Sequence, residues 1–366
     1  MRMKRVPAHG GNVYEAARAS GRPIGRLVDF SASINPLGPS PAAVRALRHA
    51  LPQLVHYPDP DCQTLRRALA KRWRLASDQI LVGNGSSELI HLLPRALGIR
   101  RALLIGPTFS EYARAVELAG GRVSYLHAKR REDYRPPLER VLHAMQHSRK
   151  SVDAIFLCNP NSPTGRAVEA AAVRTLVQAA ARRRIRVILD ETFVEYCADR
   201  SVLRDAGRSP NLLILRSFTK FYAMPALRLG YLVGAAPLIQ RVRALQPPWS
   251  VNMPAQVFAL AALGDRSYAS RSLAYMQLEQ ARFVMSLKAL PGVTVYPSEA
   301  NFLLLELPLS RSARVCAEAL ASRGLLIRDC SSVPGLNRRT VRVAVRRRTE
   351  NRRLVAALRK WLGGPV

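Results

Sequence analysis

Lysine is scarce in this chain. Of its 57 lysines and arginines only seven are lysine: Lys4, Lys71, Lys129, Lys150, Lys220, Lys288 and Lys360. Any chemistry that needs a reactive amine is confined to that short group. The five cysteines (Cys62, Cys158, Cys197, Cys316, Cys330) are scattered, without a CxxC pair or a metal-like spacing to histidine. This excludes a disulfide scaffold and a zinc module, and no metal site is expected; a reducing, cytoplasmic setting is. No apolar run is long enough to cross a bilayer. The opening stretch, Met1 to Pro7, is basic but lacks the apolar core of a signal peptide. Internal repeats and low-complexity segments are also missing.

Acidic residues are few as well, 25 in all, so the formal charge is +32. A nucleic-acid-binding protein would cluster such charge beside a recognisable reading module. Here the arginines are spread along the chain, with only short clusters such as Arg182-Arg183-Arg184 and Arg346-Arg347-Arg348. No zinc finger, aromatic RNA-binding signature or basic tail accompanies them. Solvated arginine-rich surfaces are therefore expected, with neither nucleic acid nor membrane as partner. The charge helps to attract an anionic substrate.

At 366 residues the chain can bury a large core and a smaller second one. Residues 1–40 are rich in Gly, Pro and Asn and read as an extended arm. Ser40 and Pro41 open a helix to Leu51, and another runs from Asp61 to Trp73. Apolar runs at 80–82, 102–105, 154–157, 187–189 and 212–215 then alternate with helical patterns near 87–97, 111–119, 168–184 and 237–246. That alternation predicts an α/β fold with a largely parallel sheet covered on both faces, assigned to residues 41–260. A long helix from about Asp265 to Leu290 leads into a smaller α+β domain, 261–366. Its strands are expected at 301–307, 325–327 and 341–345, with helices near 311–323 and 350–362.

The chemistry gathers around Ser217-Phe218-Thr219-Lys220, after the apolar run 212–215, with Arg228 eight residues beyond the lysine. Burial and a nearby cation lower a lysine's pKa and prepare its amine to form a Schiff base with an aldehyde. Hydroxyls and a guanidinium hold a phosphate. Pyridoxal 5′-phosphate carries both groups. Gly83-Asn84-Gly85-Ser86-Ser87-Glu88 follows one expected strand and opens a helix, where free backbone N–H groups accept an anion. Pro107-Thr108-Phe109-Ser110-Glu111-Tyr112 follows the next and brings Tyr112 towards a flat ring. Cys158-Asn159-Pro160-Asn161-Ser162-Pro163-Thr164-Gly165 is turn chemistry with an amide or hydroxyl for a phenolic oxygen. Asp190, at the end of a buried run, is placed to pair with a protonated pyridine nitrogen.

Taken in order, Tyr57-Pro58-Asp59-Pro60, the Gly83–Ile90 turn, the 159–165 turn, Asp190-Glu191, Ser217–Lys220 and Arg228 resemble the fold-type I pyridoxal-phosphate enzymes, near the histidinol-phosphate aminotransferase branch. The resemblance covers nearly the whole chain. Within the branch, His9–Asn12, Asp29–Gly38, Lys220–Arg228 and Pro247–Asn252 are more similar to the L-threonine-O-3-phosphate decarboxylases of cobalamin synthesis. The resemblance implies a fold of a large, mostly parallel sheet domain with a smaller C-terminal domain. It implies that Lys220 carries the cofactor, Asp190 pairs with its ring nitrogen and Tyr112 stacks on the ring. Gly85, Ser86, Ser87, Ser217 and Arg228 would hold its phosphate, with Thr219 nearby, and Asn161 or Ser162 would meet its ring oxygen. Tyr57 would reach the neighbouring subunit's cofactor in a homodimer. His9, Gly10, Asn35, Asn161, Arg328 and Arg342 would bind a phosphorylated amino acid. The implied reaction is decarboxylation of L-threonine O-3-phosphate, with an aminotransferase as the alternative. Two positions depart from the pattern. Ser162 stands where an asparagine is usual before Pro-Thr-Gly, and Phe193 where many aminotransferases have a tyrosine.

Overall fold

Short β-branched and leucine-rich runs, each closed by a turn residue, form the strands, and amphipathic stretches between them form the covering helices. A computed structural model describes residues 9–147 and 152–363; the basic Met1-to-Pro7 stretch lies outside them. The main sheet has seven strands. Across it they run Ile80–Asn84, Leu229–Gly234, Leu212–Ser217, Arg186–Asp190, Ala154–Cys158, Arg101–Gly106 and Arg122–His127. Leu229–Gly234 is antiparallel to both neighbours and the remaining pairs are parallel. The five expected strands are all present. Arg122–His127 escapes the pattern because, at the sheet edge, its side chains are exposed or half-buried. Separate cores fill the two faces, one around Leu65, Val187 and Ile214, the other around Leu89, Phe156 and Ile188.

Two of the expected helices begin at residues the sequence marks. Ser40 accepts from the Ala43 amide, and Pro41 starts the helix that ends at Ala50. The long helix is Arg266–Lys288, capped by Asp265. Beyond it a four-stranded antiparallel sheet, ordered Arg328–Asp329, Thr340–Ala344, Phe302–Glu306 and Thr294–Val295, carries its own core. The arm joins that part. Val28–Asp29 pairs in parallel with Leu325–Leu326, and Phe30 is buried against Phe283. The expected division at 260 falls inside the helix Met253–Gly264. Its buried residues Ala255, Phe258, Ala259 and Ala262 pack into the large core, so the change of core comes after that helix. No helix among the described residues is long and apolar enough to cross a membrane.

A buried ion pair braces the strand ends that carry the site. Arg216 reaches Glu191 at 2.8 Å and Glu195 at 3.2 Å, donates to Ser201 Oγ at 2.9 Å, and lies 5.1 Å over the Trp73 ring. Glu191 and Arg216 flank Asp190 and Ser217 in the chain, so this network fixes both ends. Removing one partner of a buried pair leaves the other without compensation. Glu191→Ala is therefore expected to cost about 3 kcal/mol of stability. A urea unfolding midpoint unchanged from the parent would contradict this.

Candidate active site

Parallel strands end on one edge of a sheet, and ligands bind in the crevice beyond those ends. Cys158 and Asp190 close adjacent strands in register, and Ser217 closes the next. A cavity of about 440 Å³ opens there. Its wall combines sheet ends, the start of the helix Gly85–Leu97, His9 and Gly10 of the arm, and Arg328 and Arg342 from the small sheet. That size is typical of a small-molecule site.

Lys220 and Asp190 both line this cavity. Burial lowers the Lys220 amine to about 8, and the charges of Arg342 and Arg228 act in the same direction. Burial pushes the Asp190 carboxyl up, partly offset by hydrogen bonds from Thr192 and Tyr112 and by the charge of Lys220. Tyr112 donates to Asp190 Oδ2 at 2.7 Å, and the Thr192 amide donates to Oδ1 at 2.9 Å. Tyr112 is also in the wall, its ring stacked on Phe156 at 5.6 Å. A buried tyrosine hydroxyl needs an acceptor, and Asp190 supplies it. To the stacking role read from sequence the structure thus adds a hold on Asp190.

Groups suited to cradle an anion also line the cavity. Ser86, Ser87, Thr219 and Arg228 face it. Ser217 is one step behind, its hydroxyl 2.8 Å from that of Thr219. Gly85 has φ +74°, and a Cβ there would stand 2.6 Å from Arg228 Nη2. Gly230 likewise lacks the Cβ that would meet the Ser86 amide nitrogen at 2.5 Å. The two glycines let the helix start and the guanidinium close on one point, with backbone N–H groups free of helical partners. Arg228 itself holds a left-handed φ of 56°, a strained conformation for a side-chain-bearing residue.

The other residues read from sequence divide. Arg342 donates to Ser31 O at 2.7 Å and to Ser162 Oγ at 3.0 Å, and lies 5.1 Å over Phe302. Arg328 makes no side-chain hydrogen bond among the described residues. Ser162 lines the cavity, as does Phe193. Asn161 does not; its amide nitrogen turns away to Pro107 O and Thr164 Oγ1 at 2.7 and 2.8 Å. Asn35 departs from the sequence reading. Its amide nitrogen donates to Phe221 O, Tyr268 Oη and Ser272 Oγ at 2.9–3.0 Å, and Oδ1 accepts from the Leu37 amide. With its polar atoms engaged, Asn35 braces the chain beside Lys220 from outside the cavity wall. Tyr57 is 81% exposed, packs on Trp249 at 5.0 Å, and is not part of its own chain's cavity.

Several wall residues had no sequence signal of their own. Thr108 Oγ1 and Ser33 Oγ are buried without a partner among the described residues. Arg114 enters the wall from the helix Glu111–Leu118, and Glu111 itself contacts two histidines. Only its one-turn spacing from Glu111 hinted at Arg114. Among the described residues no cluster suits a metal ion.

The chain is similar to known proteins over nearly its whole length. The model of the family "Aminotransferase class I and II" matches residues 26–358. The chain is 39% identical to a threonine-phosphate decarboxylase of Salmonella typhimurium, over 98% of this chain and 97% of that one. It is 35% identical to a histidinol-phosphate aminotransferase of Roseiflexus castenholzii, over 94% and 92%. The crystal structure of L-threonine-O-3-phosphate decarboxylase from Porphyromonas gingivalis superposes with a TM-score of 0.81 at 28% identity, covering 91% of this chain and 99% of the other. A lysine after one strand, a carboxylate ending its neighbour, and a sequence match spanning both sheets lead to one conclusion: the chain belongs to the class I and II aminotransferase family.

Proposed function

We propose that the chain binds pyridoxal 5′-phosphate and converts L-threonine O-3-phosphate to carbon dioxide and (R)-1-amino-2-propanol O-2-phosphate, a step of cobalamin synthesis. The observation that carries this reading is a single cavity holding a buried amine, a buried carboxylate, an anion cradle and three further arginines. The residues fit the cofactor. The glycine-framed cradle suits a phosphate, Asp190 suits a ring N–H, and Ser162 rather than Asn161 lines the same cavity. When bound, pyridoxal phosphate supplies an aldehyde for amines and a ring that draws electrons from the substrate's α-carbon.

The chain's own groups then decide the outcome. With its amine lowered to about 8, Lys220 has a substantial neutral fraction near neutrality and is suited to attack an aldehyde. The same Nζ delivers a proton to the α-carbon after carbon dioxide has left. Arg342 and Arg328 provide the positive charges for the substrate's carboxylate and phosphate, and His9 and Gly10 line the same cavity. Holding the substrate by its phosphate, remote from the reacting bond, turns binding energy into orientation. Orientation selects the carboxylate bond over the hydrogen, and a misplacement of about 1 Å costs on the order of a hundredfold. Phe193 would leave the cofactor's ring oxygen without a tyrosine partner. It packs edge-on to Phe302 at 5.0 Å instead.

The test is incubation of the cofactor-loaded enzyme with L-threonine O-3-phosphate. Carbon dioxide release equal to the amine phosphate formed is expected. Keto-acid formation in its place would establish an aminotransferase and defeat the proposal. The proposal includes a homodimer in the cytoplasm. Tyr57 and Trp249 stand together on the surface, with Leu54 and Val55 exposed just before Tyr57, as a partner-facing apolar patch would.

A further inference from the structure

Glu111 is a buried carboxylate gripped on both oxygens. His9 Nε2 lies 2.8 Å from Oε1 and His91 Nε2 lies 2.9 Å from Oε2. The three residues come from three places: His9 from the N-terminal arm, Glu111 from the start of the helix Glu111–Leu118, and His91 from the middle of the helix Gly85–Leu97. That last helix begins with the anion cradle, and Tyr112, next to Glu111, holds Asp190. The carboxylate therefore ties the arm to two elements that build the cavity.

Burial alone would push the Glu111 carboxyl up. Hydrogen bonds from His91 and His9, with the charges of His9 and Arg114, bring it below its ordinary value instead. The buried group is thus kept as an anion. Its contact leaves His9 one ring nitrogen, Nδ1, with no partner among the described residues, while the ring packs against Phe109 at 5.5 Å. A ring held at one nitrogen and along one side has its other nitrogen aimed in a fixed direction. Beside it the backbone is tied by the Gly11 amide, which donates to Ser31 Oγ at 2.8 Å, while the ring itself is held by the Glu111 carboxylate and Phe109.

We propose that Glu111 is the positioning residue for His9: its carboxylate, anchored by His91, fixes the imidazole so that the free nitrogen meets the substrate's phosphate. This rests on the reading of His9 as a phosphate ligand. His91 does not enter the cavity wall and acts only through Glu111.

The experiment compares E111Q, H9A and the double variant as cofactor-loaded enzymes acting on L-threonine O-3-phosphate. Glutamine keeps the shape but cannot accept from both rings with both terminal atoms. E111Q and H9A are each expected to lower kcat/KM about tenfold, the size of one hydrogen bond to a charged group. The double variant is expected to be no worse than H9A, because Glu111 acts through His9. E111Q with kcat/KM unchanged overturns the proposal, and so does a double variant in which the two losses multiply, the mark of a merely structural role. H9A without effect overturns the reading of His9 and the proposal with it; an impaired H9A beside an unimpaired E111Q overturns the proposal alone. E111D is the second variant should E111Q fold poorly. It keeps the charge but is one methylene too short to hold both rings, and an intermediate kcat/KM is expected. Activity equal to the parent would count against the proposal.

Discussion

Lys220→Ala is expected to lose turnover by a factor on the order of 10⁴, the upper end of what a positioned proton-transfer group contributes. It is also expected to lose the absorbance near the visible edge that a lysine-bound cofactor gives. Among the described residues Lys220 is the one lysine in the cavity wall. Retention of the absorbance would redirect the search to the other six lysines. The pH dependence follows from the same burial. Cofactor attachment needs the neutral amine, which predominates above about 8. The rate of reconstitution of the cofactor-free protein is therefore expected to rise with pH and to be half-maximal near 8. Stability follows the same sign. Between about 8 and the ordinary 10.5 the unfolded chain binds more protons at this residue than the folded one does. The cofactor-free fold is therefore stabilised as pH rises through that window, and its penalty is present in full below it. A reconstitution rate flat from pH 7 to 9 would refute the assignment.

The second large effect is at Asp190. Asp190→Asn keeps the shape and leaves an oxygen to accept from Tyr112, so the fold should survive. It removes the negative charge that a ring N–H would need. The expected fall in kcat is on the order of 10² to 10³, comparable to the loss of one preorganised electrostatic contact in a buried site. A kcat within about tenfold of the parent, at saturating cofactor, would show that Asp190 serves only to hold Tyr112.

Much of the site was readable in the chain because its parts are local. Lys220 follows a strand that announces itself by its leucines, and Asp190 ends a run that only a buried strand would need. Gly85 is conspicuous because only glycine tolerates both its φ and its neighbour. The arm residue His9 was visible through a family resemblance, but its holder was not. Glu111 is 102 residues away, and nothing in the spacing of His9, His91 and Glu111 brings them together. Asn161 and Ser162 are adjacent, so the sequence left the choice open. The path of the turn sends one side chain to Pro107 and the other to Arg342. Asn35 was misplaced because an asparagine near a lysine in space satisfies its own amide before any ligand does.

From the residues alone came the alternation that makes a parallel sheet, the stops and starts of its helices, and the amine, carboxylate and cradle at the strand ends. These depend on periodicity and on neighbours a few positions apart. Which polar groups face the cavity, which are consumed in bracing it, and how a carboxylate in one helix steers an imidazole in the arm were decided only by packing. Hydrogen-bond partners are allotted in three dimensions, among residues the chain holds far apart.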